Sequence, residues 1–241
     1  MAQALAFLLY APLQSWGDIA VGDIRNSYRH PSKSALIGLL AAAMGLDRYR
    51  DEIKLLQLNR DLKFAIRFDG LEGPILADYH TTQVPSSKMG KAHRMRSDEL
   101  RAEDLQTILS TREYLSDSAF SIFCFGPSPM LEEAKDKLTN PSRPLYLGRK
   151  SCPLAIPCIA EIIEGGDLAE IQRQFVLPKQ LRELGWVPLK QSGTETCIAW
   201  EKGIASGIPT TTISRRNDNF ISRTRWQFGS RAECVGYVSL P

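Results

Sequence analysis

The sequence predicts an α+β fold, and three observations lead to that prediction. Residues 4–10 form a continuous apolar run of strand length, which suits the centre of a sheet covered by helices. Residues 35–44 are nearly all apolar over a helical length, so they predict a helix that is buried. Beyond residue 165 the segments become shorter and carry frequent glycine and proline, which indicates a smaller, mainly β part.

Local patterns predict the next elements in order. Residues 47–59 predict a second, amphipathic helix whose apolar positions include Ile53. Apolar and polar residues alternate over 62–68, which is typical of a half-buried strand. The Asp69-Gly70 pair ends this strand, and residues 75–79 are the predicted partner strand.

The second half begins with a long departure from the sheet. Residues 83–111 start with few core-forming side chains, and structureless excursions of this length in compact domains are usually functional or disordered. Aromatic and apolar residues over 114–125 indicate a return to regular structure. Residues 130–138 predict a helix with Ser128 as a candidate cap, and the last strand is expected between residues 144 and 163.

The resulting order of elements is the ferredoxin-like βαββαβ arrangement. We therefore expect one ferredoxin-like domain over residues 1–165, which contains the excursion. A small, mainly β domain is expected over residues 166–241.

Composition places the chain among ordinary globular proteins. Of its 241 residues 43% are hydrophobic and 24% are charged, which argues against disorder or a fibrous repeat. Its five cysteines are odd in number and widely spaced, with no secretory signal before them, as suits a reducing cytosol. No stretch approaches the ~20 apolar residues of a membrane span. We therefore expect a soluble, cytoplasmic protein that needs no membrane.

No cofactor or metal site is predicted. Cys152 and Cys158 are not followed by a second ligand pair at zinc spacing. The chain contains neither a phosphate-binding P-loop nor a dinucleotide-binding fingerprint.

Positive charge is concentrated in four segments, although the net charge is only +3. The segments contain Arg25, Arg29, His30 and Lys33; Lys88, Lys91, His93, Arg94 and Arg96; Arg149 and Lys150; and Arg215, Arg216, Arg223, Arg225 and Arg231. Any one of them alone is most simply a solvated face. Four together, with aromatic residues interleaved in the last, favour binding of single-stranded nucleic acid.

The first cationic segment leads directly into the predicted buried helix. Pro31 stiffens the entry, and Ser32 or Ser34 is positioned to accept hydrogen bonds from the first turn. Backbone donors, helix dipole and side-chain charge then all favour an anion. The anion expected here is a phosphate.

Two other functions remain open from the residues alone. A metal-independent endoribonuclease would use histidine as an acid or base, and His30, His80 and His93 lie on separate segments near other cations. A scaffold whose cations contact acidic protein partners is the third interpretation.

Six short motifs occur together in a recognisable order. They are LQSWG at 13–17, PSKS at 31–34, LIGLL at 36–40, DYHT at 78–81, REYLSD at 112–117 and YLGRKS at 146–151. Over about residues 3–158 the chain resembles the CasD family of type I-E CRISPR Cascade subunits, within the RAMP superfamily.

The resemblance implies a ferredoxin-like, RRM-like RAMP domain, a protruding thumb at about 83–111 and a small C-terminal β domain. It implies a non-catalytic subunit that binds the 5′ handle of CRISPR RNA and caps the filament of backbone subunits. The expected partners are the CRISPR RNA, the backbone subunit, the large subunit, other Cascade proteins and the target DNA bound by the complex. A relative in another subtype cleaves repeat RNA, so the endoribonuclease alternative stays open.

On this hypothesis three groups of residues contact RNA. The helix start contributes Arg25, Arg29, His30, Ser32, Lys33 and Ser34. The thumb contributes Lys88, Lys91, Arg94 and Arg96, and the loop after the last helix of the domain contributes Arg149 and Lys150.

Overall fold

The computed structural model describes residues 2–86, 95–101, 103–177, 185 and 187–241. Its strands are β1 (Ala2–Gln14), β2 (Trp16–Gly17), β3 (Ile24–Arg25), β4 (Ser27–Tyr28), β5 (Lys63–Phe68), β6 (Ile75–Pro85), β7 (Leu105–Phe125), β8 (Ala160–Gly165), β9 (Glu195–Glu201), β10 (Thr212–Ser222) and β11 (Gln227–Ser239). Its helices are α1 (Lys33–Ala43), α2 (Glu52–Asp61), α3 (Arg96–Glu99), α4 (Ser128–Thr139) and α5 (Leu168–Gln174).

A nine-stranded, mostly antiparallel sheet organises the chain. Seven strands follow the order β10-β11-β9-β5-β7-β1-β8, while β3 and β6 both pair with the first half of β7. β2 and β4 form a separate two-stranded pair. The predicted α+β combination of helices and a sheet is therefore confirmed.

Two hydrophobic cores lie on opposite faces of β1, since successive strand residues point to opposite sides. Leu5, Phe7 and Leu9 pack in the core that contains α1, α2 and α4. Ala6 and Leu8 pack in the core that contains α5. The strand is covered on both sides, as its continuous apolar sequence predicts.

The buried helix is also confirmed, as α1. Leu36, Ile37 and Leu40 are fully buried, and the side chain of Ser32 caps the helix by accepting a hydrogen bond from the N–H of Ala35 at 3.2 Å. Gly45 follows the helix at a φ of +74°, a conformation that favours glycine. Within the described residues, no helix is long and apolar enough to cross a bilayer.

The strand predicted at 62–68 is present at 63–68, but the prediction that one of its faces is exposed to solvent was wrong. β5 is buried on both faces, and Arg67 within it is only 1% exposed. Arg67 is paired with Asp69, with Nε and Oδ1 2.7 Å apart. An internal ion pair in a strand produces the same alternation as a solvated face.

Strand pairing also differs from the prediction around residues 75–79. β6 begins there but pairs with β7, from Ile75 opposite Leu115 to Pro85 opposite Leu105. The described part of the excursion at 83–111 therefore consists largely of a two-stranded ribbon formed by β6 and β7. The short helix α3 lies in the connection between these two strands. Its polar, β-branched residues suit a ribbon exposed on both faces, so they lack the apolar pattern of a covered strand.

Two helix predictions need correction at their ends. The second helix begins later than expected, at Glu52, and Ile53 is 85% exposed instead of facing the core. α4 begins at Ser128, but its N-cap position is Pro127 and no side chain caps it. The cap predicted at Ser128 is therefore wrong.

The C-terminal strands extend the same sheet. β9 pairs with β5 through Ala65 opposite Trp200, and β11 and β10 follow outward. The division into residues 1–165 and 166–241 stays a prediction, and backbone hydrogen bonds run across it.

Candidate nucleic-acid interface

Carboxylates of the C-terminal strands lie at the start of α1. The backbone N–H of Lys33 donates to Oδ2 of Asp218 at 2.8 Å, and its Nζ donates to Oε2 of Glu201 at 2.9 Å. All three residues are buried. The anion at this helix start is thus a carboxylate of the same chain, where the sequence suggested a phosphate.

His30 belongs to the same buried cluster. Its Nε2 lies 3.0 Å from Oε2 of Glu233 and 2.5 Å from Nη1 of Arg216. Arg231 joins the cluster by pairing with Oδ1 of Asp218 at 2.6 Å and Oε1 of Glu233 at 2.8 Å. Two of the five arginines in the fourth cationic segment are therefore internal counter-charges.

The cluster shifts the titration of two of its members. Burial, with the charges of Arg216 and Arg231, lowers the pKa of His30, and its contact with Glu233 only partly opposes this. Burial alone would raise the pKa of Glu233, but His30 and the two arginines outweigh it and lower that pKa to about 2. The stable arrangement is a neutral imidazole beside an ionised carboxylate.

Three of the residues predicted to contact RNA instead make their polar contacts within the chain. Lys33 and His30 have carboxylate partners, and the hydroxyl of Ser32 caps α1. Ser34 is half-buried and lies 3.2 Å from that hydroxyl. Nothing in the local sequence reveals the partners of Lys33 and His30, because those carboxylates are 168 and 203 residues away.

The structure does bring two of the predicted cationic segments together. Nη2 of Arg149 donates to the backbone carbonyl of Arg25 at 3.3 Å, and its guanidinium stacks on Tyr114 at 4.7 Å. Nη1 of Arg149 is buried without a hydrogen-bond partner in the described chain. Lys150 beside it is exposed.

A glycine holds this arginine loop in place. Gly148 has a φ of +90°, and a Cβ at this position would meet the carbonyl oxygen of Ser15 at 1.7 Å. The backbone N–H of Ser15 in turn donates to the carbonyl of Leu147 at 3.1 Å. Only glycine permits the close approach that sets Arg149 and Lys150 against the β1 end.

The other predicted residues divide into three cases. Arg25 and Arg29 are exposed. Arg96 is exposed on α3, where it pairs with Glu99 and donates to the carbonyl of Gln83. Lys88, Lys91, His93 and Arg94 lie outside the described residues.

A cavity on the outer face of α1 contains cationic residues that were not among the predicted contacts. Its volume is about 300 Å³, and it is lined by Gly38, Arg48, Arg143, Tyr146 and Arg223, among others. Arg223 belongs to the fourth cationic segment, whose mixture of arginine and aromatic residues was the available signal. Arg48 and Arg143 lie outside the four cationic segments and gave none.

The two histidines that the structure describes, His30 and His80, do not form a catalytic group. His30 is buried in the ion cluster, and His80 lies on β6 with Nδ1 3.9 Å from Oδ2 of Asp78. Among the described residues, no three histidine, cysteine, aspartate or glutamate side chains are grouped to hold a metal ion.

Comparison with known proteins gives the family. The family model described as CRISPR-associated protein (Cas_Cas5) matches residues 4–232. The chain belongs to the Cas5 family. The resemblance found in the sequence is thereby confirmed.

Relatives of this Cas5 chain agree with that assignment. The CRISPR system Cascade subunit CasD of Escherichia coli (strain K12) is 30% identical over 170 residues, covering 69% of this chain and 74% of that protein. A chain of a CRISPR RNA-guided surveillance complex is similar with a TM-score of 0.62 and 25% identity, covering 99% of this chain and 91% of that one. A crystal structure of a Cas protein gives a TM-score of 0.59 and 26% identity, covering 99% and 95%.

Proposed function

We propose that this Cas5 chain is a non-catalytic subunit of a Cascade-type surveillance complex in the cytoplasm. It binds the 5′ handle of CRISPR RNA and caps the filament of backbone subunits. The large subunit, other Cascade proteins and the target DNA would then be its neighbours. Family membership and the CasD relative support the assembly.

The observation that carries RNA binding is the contact between Arg149 and Arg25. It joins two cationic loops, far apart in sequence, into one surface beside the start of α1. The exposed Arg25, Arg29 and Lys150 give this surface donors for phosphate oxygens, and Arg149 holds the two segments together. His30 and Lys33 act indirectly, by holding the helix that carries the surface.

We further propose that the centre of the sheet is the ferredoxin-like RAMP unit. The strands β8, β1, β7 and β5 are adjacent in that order and antiparallel, and α1 and α4 lie on one face. The ribbon of β6 and the first half of β7, with α3, would be the thumb. Its exposed Tyr79 and Ile108 suit contact with a neighbouring subunit.

RNA binding is tested with the double variant Arg25→Ala, Lys150→Ala. Because both side chains are exposed, the fold should be retained, and two phosphate contacts should be lost. We expect affinity for a 5′-handle RNA to fall about 10- to 100-fold at moderate salt, and the slope of log K against log salt to flatten by about 1.4. Filter binding over a salt series measures both.

The matched control is Lys137→Ala, Arg173→Ala, which removes two exposed cations from α4 and α5. It should bind like the unmodified chain. Equal affinity and slope in all three proteins would contradict the proposed surface. A scrambled RNA bound as tightly as the handle would contradict handle recognition, and specific cleavage of repeat RNA in EDTA would restore the endoribonuclease alternative.

A further inference from the structure

The cavity on the outer face of α1 is lined by three arginines and contains no carboxylate among its lining residues. Arg48, Arg143 and Arg223 surround it, and small residues of α1 such as Gly38 form its floor. Its volume of about 300 Å³ lies at the lower end of the range for small-ligand sites. Three like charges around a concave space favour an anionic ligand.

The arginines are held by aromatic rings and by backbone. Arg48 lies 4.1 Å from the centre of the Trp226 ring, and Arg223 lies 5.2 Å from that of Phe220. Arg143 donates to the carbonyl of Gly45 at 3.0 Å. The Arg223 guanidinium makes no hydrogen bond or ion pair with the described residues, so its donors are free for a ligand.

The nearest carboxylates are engaged elsewhere. Glu52 accepts hydrogen bonds from the hydroxyls of Ser222 and Thr224 at 2.6 and 2.9 Å. Asp47 accepts hydrogen bonds from two backbone N–H groups of its own loop. These hydrogen bonds lower the pKa of Asp47, and the charge of Arg143 also lowers it. Neither carboxylate forms an ion pair with the Arg223 guanidinium, although Glu52 also accepts a hydrogen bond from the Arg223 backbone N–H.

The surroundings of Arg223 disfavour its positive charge. Burial, with the neighbouring charge of Arg48, lowers the pKa of Arg223. A partly desolvated cation beside a like charge is unfavourable unless an anion compensates both. Gly38 lies beside this arginine: a Cβ there would be in van der Waals contact with Nη2 of Arg223, at 3.5 Å, so a longer side chain would occupy the space around the guanidinium.

We propose that this cavity binds a phosphate group, with Arg48, Arg143 and Arg223 as its ligands. The bound group is a phosphate of the RNA strand, which rests on the proposed function. Phosphate binding as such does not depend on it, and a free nucleotide has the same chemistry. Planar guanidinium groups suit the geometry of phosphate oxygens.

The proposal is tested on the full chain with pyrophosphate, adenosine 5′-monophosphate and 5′-handle RNA. Calorimetry should show saturable binding of pyrophosphate to the unmodified chain. In Arg223→Gln it should weaken about tenfold or more, since a charge-assisted contact is lost. Arg225→Gln, an exposed neighbour on the same turn, is the matched control and should bind normally.

A second variant separates loss of the site from loss of the fold. Gly38→Leu keeps all three arginines and fills the cavity, so it should block pyrophosphate. Circular dichroism and a thermal melt show whether it has folded. No saturable binding to the unmodified chain, or equal binding in Arg223→Gln, would overturn the proposal.

The source of the phosphate is decided by competition. Handle RNA that displaces pyrophosphate, and that binds Arg223→Gln about tenfold more weakly, supports a strand phosphate. Displacement by adenosine 5′-monophosphate but not by RNA would overturn the RNA assignment alone. Handle RNA that binds Arg223→Gln with full affinity would overturn the assignment of this cavity to a strand phosphate and leave the surface of Arg25 and Lys150 intact.

Discussion

Replacing Glu233 with glutamine lowers the free energy of unfolding by about 3–5 kcal/mol at pH 7. The amide keeps the shape of the side chain but removes the buried negative charge that faces Arg216 and Arg231. Two arginines are then left with Asp218 as their remaining close carboxylate in the described cluster. Urea denaturation followed by tryptophan fluorescence measures the loss.

The same variant changes the pH dependence of stability. The folded pKa of Glu233 lies below its ordinary value of 4.5, at about 2. Its contribution of roughly 3 kcal/mol is therefore complete above pH 4.5 and lost as pH falls toward 2. The lowered pKa of His30 acts in the same direction, with loss beginning below its ordinary value of 6.5.

The urea midpoint of the unmodified chain should therefore fall on acidification. In Glu233→Gln the portion of that fall between pH 4.5 and 2 should be smaller. Glu195→Gln, an exposed carboxylate on β9, should reproduce the unmodified curve. Parallel curves for the unmodified chain and Glu233→Gln would show that this carboxylate is not held by the cluster.

Replacing Asp69 with asparagine is expected to cost a similar amount, about 3–5 kcal/mol, because it leaves Arg67 buried without its counter-charge. The two side chains are each 1% exposed and make two contacts, at 2.7 and 3.2 Å. The carbonyls of Gln172 and Phe175 also accept from Arg67, so the arginine ties β5 to the segment around α5. Chemical denaturation measures the change.

A double replacement distinguishes ion pairing from packing. Arg67→Met, Asp69→Leu removes both charges, so it should be less destabilised than Asp69→Asn. Asp61→Asn breaks the surface pair with Arg60, which is 74% exposed, and should change the stability very little because solvent screens this pair. If Asp69→Asn is no worse than Asp61→Asn, the internal pair contributes little.

The sequence was most informative where a feature is local. Apolar runs predicted β1 and α1, and the serine before the helix predicted its cap. The pairing of β6 with β7 was missed because the residues of a strand do not by themselves specify which strand it pairs with. β5 was misread because an internal Arg67–Asp69 pair has the same polar alternation as a solvated face.

The candidate site was less predictable for a similar reason. The four cationic segments predicted a positively charged surface, but they did not show which of the cations are paired with carboxylates of the same chain. Lys33 and Glu201 are 168 residues apart, and His30 and Glu233 are 203 apart. Likewise Arg48, Arg143 and Arg223 converge from three separate segments. Only the sheet, which brings β9, β10 and β11 beside the start of α1, decides between an internal partner and a free cation.

The joining of α1 to the last strands has a consequence for how the chain is made. Lys33 leaves the ribosome long before Glu201 and Asp218, its two carboxylate partners. Until those residues emerge, burial of the α1 start would leave an ammonium group without a counter-ion, which is strongly unfavourable. We therefore expect the start of α1 to become buried only after β9 to β11 have been synthesised, with Lys33 in contact with water until then.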